Sequence, residues 1–194
     1  MAGKRIRYKG PVTPGNRSIN QFVSILAPLL VKYCVNTGIL PSVVVGIALK
    51  ESSAGNDYKA FVFNNPFGHK AFGTWDGDGV KRTDNPNAAY WRVYPSLEEA
   101  VKSHVAILQG GNYKKNGVAL QKTPYNQLVA LQKAGYNVGG DKHEYAASIT
   151  NIIRSRGLQK FDQDLFAYER SINNNSLAFH EQDGITKALH NLLA

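Results

Sequence analysis

The chain has one cysteine, Cys34, among its 194 residues, so an intramolecular disulfide framework is excluded. Its place inside an apolar stretch predicts a buried thiol packed as a small hydrophobe. Long apolar runs are also missing. The longest candidate, Phe22 to Val35, is interrupted by Ser24, Pro28 and Lys32, so no membrane insertion is expected and the chain reads as soluble. The N-terminus is basic, but Pro11, Pro14, Asn16 and Arg17 stand where a signal peptide needs its apolar core, so no export leader is expected. The five histidines show no metal-ligand spacing. The string Trp75-Asp-Gly-Asp-Gly79 matches only part of a calcium loop and lacks the closing glutamate. No metal or cofactor is expected. No internal repeat and no nucleic-acid-binding motif occurs, so nucleic acid is not an expected partner.

Acidic residues are few, 14 against 23 Lys and Arg, for a net charge of +9. The imbalance is uneven. Residues 158–194 carry three basic and five acidic side chains, which leaves 20 basic and nine acidic on residues 1–157. Such a body is drawn to polyanions, with anionic wall polymers among them.

Residues 1–17, with five basic residues and two prolines, read as an extended basic arm. A capping box of Ser18 and Gln21 opens the first helix, Phe22, Ile25, Leu26, Leu29 and Tyr33 mark its apolar face, and Gly38 ends it. A second helix spans Pro41 to about Glu51. Residues 56–95 change texture, being rich in Gly, Asn, Asp and aromatics. There, Gly79–Thr83 and Ala89–Tyr94 pair as two strands around an Asp84-Asn-Pro-Asn turn. Helix returns at Ser96 with Leu97, Val101, Val105 and Leu108 inward, and again at Thr123-Pro124, with Gly135 as the stop. A fifth helix opens at Asp141 and Glu144, turns Tyr145, Ile149, Ile152 and Ile153 inward, and ends at Gly157. Residues 163–194 form a tail for docking or assembly, with an amphipathic stretch from Asp183 to Leu193. The pattern predicts an α+β domain, mostly helical, with a small β-hairpin lobe as one wall of a cleft.

Glu51 is the candidate with the most specific setting. Helical spacing puts it on one stripe with Val44, Ile47 and Ala48, and a carboxyl group against apolar neighbours holds its proton more tightly. That is what a general acid needs near neutral pH. A helix ending in an exposed glutamate is the plain alternative.

Five segments together resemble the N-acetylglucosaminidases of glycoside hydrolase family 73, which include autolysins, flagellar peptidoglycan hydrolases and phage lysins with a lysozyme-like fold. They are Ile47-Ala-Leu-Lys-Glu51-Ser-Ser-Ala-Gly, Asn64-Asn-Pro-Phe-Gly-His-Lys70, Trp91-Arg-Val-Tyr-Pro-Ser96, Ala130-Leu-Gln-Lys-Ala-Gly-Tyr136, and Tyr145-Ala146 with Ile149, Ile152 and Ile153. The resemblance covers roughly residues 18–162, which makes them the expected catalytic domain. It implies hydrolysis of the peptidoglycan glycan strand on the reducing side of N-acetylglucosamine, with Glu51 as general acid. Asp84, after Thr83 in the hairpin, stands where the family places its second carboxylate, and it also suits a turn; Asp76 and Asp78 are alternatives. If the substrate's acetamido group assists instead, Tyr136, which corresponds to a tyrosine facing the cleft, gains weight; ring packing at the helix end is the other reading.

Asn64 and Asn65 are candidates for sugar hydrogen bonds, Lys70 for sugar or peptide oxygens, and Phe67, Trp75, Trp91 and Tyr94 for aromatic contacts. Core packing is an equal claim on Phe67 and the stronger one on Trp91. His69 departs from the family's aliphatic residue and reads as a surface or satisfied side chain. The expected setting is the bacterial wall, with the enzyme a phage lysin released through a pore or carried in the virion, where the tail contacts other virion proteins. The alternatives are a muramidase or lytic transglycosylase of the same superfamily, and a non-catalytic virion or wall-binding component.

Overall fold

The computed structural model describes residues 3–84, 87–137 and 142–174. At the centre lies α2 (Pro41–Ser52), buried all round from Pro41 to Leu49. A helix apolar on every side must be wrapped by others. It is packed by α1 (Ile19–Cys34), α6 (Pro124–Lys133) and α7 (Lys142–Ser155), while α4 (Leu97–Gln109) packs on α1. One-turn helices α3 (Tyr58–Phe61) and α5 (Gly111–Lys115) and a 3-10 turn at Val118–Leu120 complete the connections. A further helix, α8, spans 160–174. No helix among the described residues is long and apolar enough to cross a membrane.

The predicted caps are present. Ser18 and Gln21 form a reciprocal capping box, Ser96 accepts from the Glu99 amide, and Thr123 accepts from the Asn126 amide ahead of Pro124. In α1 the buried face is Phe22, Leu26, Leu30 and Cys34, whereas Ile25 is exposed and the helix stops before Gly38. The stripe is thus rotated from the expected one, and Pro28 lies inside the helix on its outer side. Burial pushes the Cys34 thiol up to about 12, so it stays protonated, as a core residue should.

The central helix has no side-chain cap of its own at Leu40. Asp162, from the start of α8, supplies one: its carboxylate accepts from the Ser42 amide at 2.8 Å and the Ser42 hydroxyl at 2.7 Å. Phe161 and Leu165 are buried on either side, and Glu169 accepts from the Asn36 amide. At its other end α2 stops abruptly. Ser53, Ala54 and Gly55 all adopt positive φ, and the Ser52 hydroxyl accepts from the Gly55 amide. This tight left-handed turn leaves Glu51 in the last helical turn.

Gly46 lets α7 approach closely, since a Cβ there would lie 2.7 Å from a methyl of Ile149 and 3.1 Å from Ile153. The inward residues of α7 are Tyr145, Ile149 and Ile153, with Ile152 partly buried. Asp141, its expected start, lies outside the described residues, as does the stretch 183–193.

The small lobe carries a three-stranded sheet in the order β1 (Arg5–Tyr8), β2 (Gly79–Arg82), β3 (Trp91–Arg92). The antiparallel β2–β3 pair is the expected hairpin, with shorter strands. Part of the basic N-terminal segment is docked on this sheet. Arg5 to Tyr8 pair in parallel with Gly79 to Arg82. On the inner side Tyr8 stacks on Tyr58 at 5.2 Å and meets the edge of Phe63 at 5.4 Å.

Candidate active site

Glu51 is half-buried, and its Oε1 accepts a hydrogen bond from the Tyr145 hydroxyl at 3.0 Å. The apolar stripe beneath it, Val44, Ile47 and Ala48, is fully buried. The Tyr136 ring lies 6.0 Å from that of Tyr145, tilted by 39°. Tyr136 follows Gly135, which takes φ +93° to end the α6 segment. Burial first, then the neighbouring Glu51 charge and Tyr113, drive the Tyr136 hydroxyl well above the usual phenol range. Burial, Tyr136 and Glu51 do the same to Tyr145. Both hydroxyls therefore stay protonated, as neutral donors, at any working pH.

Behind Tyr136 an aromatic chain leads into the small lobe. The His104 ring meets Tyr136 edge-on at 6.2 Å and stacks on Phe67 at 3.9 Å. His104 Nδ1 shares a proton with His69 Nε2 at 2.9 Å, and His69 Nδ1 shares one with the Tyr94 hydroxyl at 2.7 Å. Burial, helped by the Arg92 charge, pushes His69 down to about 3, and burial pushes His104 well below its usual range, so both rings are neutral. This strut ties α4 to the lobe and backs the tyrosines beside Glu51.

The other expected site residues fall into place unevenly. Asp84 is exposed in the turn after β2, its carboxylate gripped by Arg82 at 2.9 and 3.0 Å from Nε; those hydrogen bonds hold its pKa below the usual carboxylate range. No recorded contact joins it to Glu51, Tyr136 or Tyr145. Asn65 is fully buried, its amide donating to the His69 and Arg92 carbonyls and accepting from the His69 amide. Asn64, at φ +53°, donates to the Tyr94 carbonyl. Phe67 and Tyr94 are buried, and Tyr94 also meets the Ser103 hydroxyl at 3.1 Å. Trp75 is half-buried, donates to the Asp78 carbonyl at 2.9 Å, and carries the Arg92 guanidinium over its ring at 4.6 Å. Lys70 is exposed, with its ammonium 5.8 Å from the Trp91 ring, and Lys59 sits over the same ring at 4.9 Å. A cavity of about 560 Å³ lies beside the α2 terminus, lined by Arg17, Leu49, Ser53, Asn56 and Arg156 and not by Glu51.

Residues 27–158 match the glucosaminidase family, described as mannosyl-glycoprotein endo-beta-N-acetylglucosaminidase. The chain belongs to the glucosaminidase family. Exo-glucosaminidase LytG of Bacillus subtilis (strain 168) is 30% identical over 135 residues, covering 64% of this chain and 47% of that protein. Peptidoglycan hydrolase FlgJ of Pseudomonas aeruginosa is 24% identical over 149 residues, covering 71% of this chain and 36% of that protein. The chain therefore spans less than half the length of either relative. A C-terminally truncated glycoside hydrolase domain from Salmonella typhimurium FlgJ superposes with a TM-score of 0.58 at 26% identity, covering 71% of this chain and 97% of that one. The lysozyme-like glycoside hydrolase fold expected from the sequence is the one observed.

Two side chains of this glucosaminidase-family site were not singled out in the sequence. Tyr145 enters the sequence reading as an inward residue and as part of the closing segment of the resemblance, with no site role, because its hydroxyl meets Glu51 across 94 positions of chain. His104 left a fainter signal, a polar residue on an otherwise apolar stripe between Val101 and Val105.

Proposed function

We propose that the chain is a peptidoglycan hydrolase that cleaves the glycan β-1,4 bond on the reducing side of N-acetylglucosamine, with Glu51 as general acid. The observation that carries the reading is the Tyr145 hydroxyl on Glu51 Oε1 at the end of the buried helix. One carboxyl oxygen is thereby oriented, and the other is left to face a glycosidic oxygen. Glu51 protonates the departing oxygen as the bond breaks, and the Tyr145 hydroxyl stabilises the carboxylate that remains.

Positive charge then grows at the anomeric carbon. Asp84 is committed to Arg82 in an exposed turn, which supports a turn-forming role for it. In this reading Tyr136, kept neutral beside Tyr145, hydrogen-bonds the substrate's own acetamido group or the incoming water. The proposal is therefore an acetamido-assisted cleavage positioned by Tyr136. Lys70 and the edge of Trp75 supply contacts to the glycan or its peptides. Asn64, Asn65, Phe67 and Tyr94 act behind them, as braces that fix the lobe. The phage-lysin setting stays part of the proposal, and its test is whether the coding sequence lies among pore-forming or tail genes.

The chemistry is tested by clearing of purified Gram-positive walls by the wild type and by Glu51→Gln, with mass spectrometry of the fragments. Clearing lost in the variant, with reducing N-acetylglucosamine ends, is expected. Reducing N-acetylmuramic acid or anhydro ends would move the chain to a muramidase or transglycosylase reaction. Clearing that survives in Glu51→Gln would remove Glu51 from the mechanism.

A further inference from the structure

We propose that the outer face of the small sheet is a binding surface for a linear phosphodiester polyanion of the cell wall. The proposal rests on the wall-hydrolase reading above and adds a second point of contact to it.

Residues 4–9 carry Lys4, Arg5, Arg7 and Lys9 and no acidic residue. In the structure Arg5–Tyr8 of this segment form a strand with two unlike sides. Ile6 and Tyr8 turn inward, and Tyr8 is anchored on the Tyr58 ring. Arg5 and Arg7 are exposed, and so is Lys9 just beyond. Parallel pairing sets Arg7 in register with Lys81, and the face is confirmed by a shared ring: the Arg5 guanidinium lies 5.9 Å and the Lys81 ammonium 4.9 Å from the centre of Tyr90. Arg5 is further held by the Gly77 carbonyl at 3.1 Å. None of the recorded ion pairs among the described residues uses Arg5, Arg7 or Lys9. Of the nearby acids, Asp78 is engaged by the Lys4 amide and Asp84 by Arg82, while Asp76, whose carbonyl accepts from the Gly3 amide, is exposed.

Pairing has thus arranged cations that a free arm would scatter. Alternate residues of a strand repeat every ~6.6 Å, so Arg5 and Arg7 present charges spaced like the phosphates of an extended polyol-phosphate chain, and exposed Lys9 follows just beyond the strand end. Single-stranded nucleic acid is the competing polyanion, and it is held by bases stacking on open aromatic faces. Here the one ring in the row, Tyr90, is already covered by Arg5 and Lys81. That favours a partner with charge and no bases.

The test is co-sedimentation of the full chain carrying Glu51→Gln, which leaves the wall intact, with walls before and after hydrofluoric acid has stripped their phosphodiester polymers. Binding weaker by roughly tenfold on stripped walls is expected, and the same loss on intact walls when Arg5→Gln, Arg7→Gln and Lys9→Gln are added. Soluble polyglycerol phosphate should compete with the intact wall, and added salt should weaken the binding. Thermal melting checks that the triple variant is folded, and Arg5→Lys with Arg7→Lys, which keeps the charge, should restore binding. The proposal is overturned if the triple variant sediments like its parent, or if a dT oligonucleotide competes better than polyglycerol phosphate. Failure of the hydrolase reading shows separately, as wild-type protein that binds intact walls and clears none.

Discussion

Substituting Gly46 by alanine tests whether the contact between the central helix and α7 governs the site. The new methyl would sit 2.7 Å from Ile149 Cγ2 and 3.1 Å from Ile153 Cγ1, about 1 Å inside ordinary carbon–carbon contact. Alanine gains about 1 kcal/mol over glycine in a helix interior. Against that, overpacking a filled core costs about 1–3 kcal/mol, through off-rotamer isoleucines or a shift of the helix axis. The net expectation is a loss of about 1 kcal/mol, read as a lower urea midpoint at unchanged slope. The functional loss should be larger, because α7 carries Tyr145 and a displacement near 1 Å breaks its 3.0 Å hydrogen bond to Glu51. Wall clearing by Gly46→Ala should fall on the order of tenfold or more while the protein stays folded. Adding Ile149→Ala opens space for the methyl, so the double variant should be less destabilised than the two single losses together. An alanine variant as stable and as active as the wild type, with strictly additive behaviour in the double, would refute the argument.

Tyr145→Phe keeps the ring and removes the hydroxyl on Glu51, so the rate of glycan cleavage should drop about tenfold while the urea midpoint moves little; an unchanged rate would remove Tyr145 from the site. Asp162→Ala strands the Ser42 amide and hydroxyl in the core, and a loss of about 3 kcal/mol is expected in urea unfolding, with a loss below 1 kcal/mol contradicting the cap. Acid should also weaken the fold. His69 and His104 are neutral in the fold and ordinary in the unfolded chain, so the unfolded state takes up protons first as pH falls. Stability should be flat above the unfolded value near 6.5 and should decline below it by about 1.4 kcal/mol per pH unit for each ring. His69→Val should flatten that slope; an equal slope in the variant would place the acid sensitivity elsewhere.

What could be read in the sequence was mostly local. The unbroken apolar run from Pro41 announced a buried helix with Glu51 at its end, and Ser18, Ser96 and Thr123 marked helix starts because a cap needs only residues three apart. The alternation around Asp84 gave the hairpin. The errors and omissions have long-range causes. Nothing near Ser42 indicates that its cap comes from Asp162, 120 residues on. Arg-Ile-Arg-Tyr alternates as a half-buried strand does, but its partner lies 74 positions away and nothing local identifies it. In α1 the period was right and the phase was not: Ile25 and Leu30 are both apolar, and only the surrounding helices decide which is covered. The asparagines and Tyr94 belonged to a motif consistent with sugar contact, yet their hydrogen bonds close on the backbone and on His69, which no pattern of residue types reveals.

The cap that Asp162 provides has a bearing on where this molecule can be cut. The family match stops at residue 158, yet the first turn of the helix that carries Glu51 is completed by a carboxylate beyond that point. A fragment ending at 158 would take away the acceptor of the Ser42 amide and hydroxyl and uncover the faces that Phe161 and Leu165 close. The damage would arise at the opposite end of the helix from the acid and still reach it, because a rod seated at both ends loses its alignment when either seat goes. The smallest unit expected to keep Glu51 in position therefore runs past Glu169, and a recombinant fragment designed on family boundaries alone would report on a loosened site.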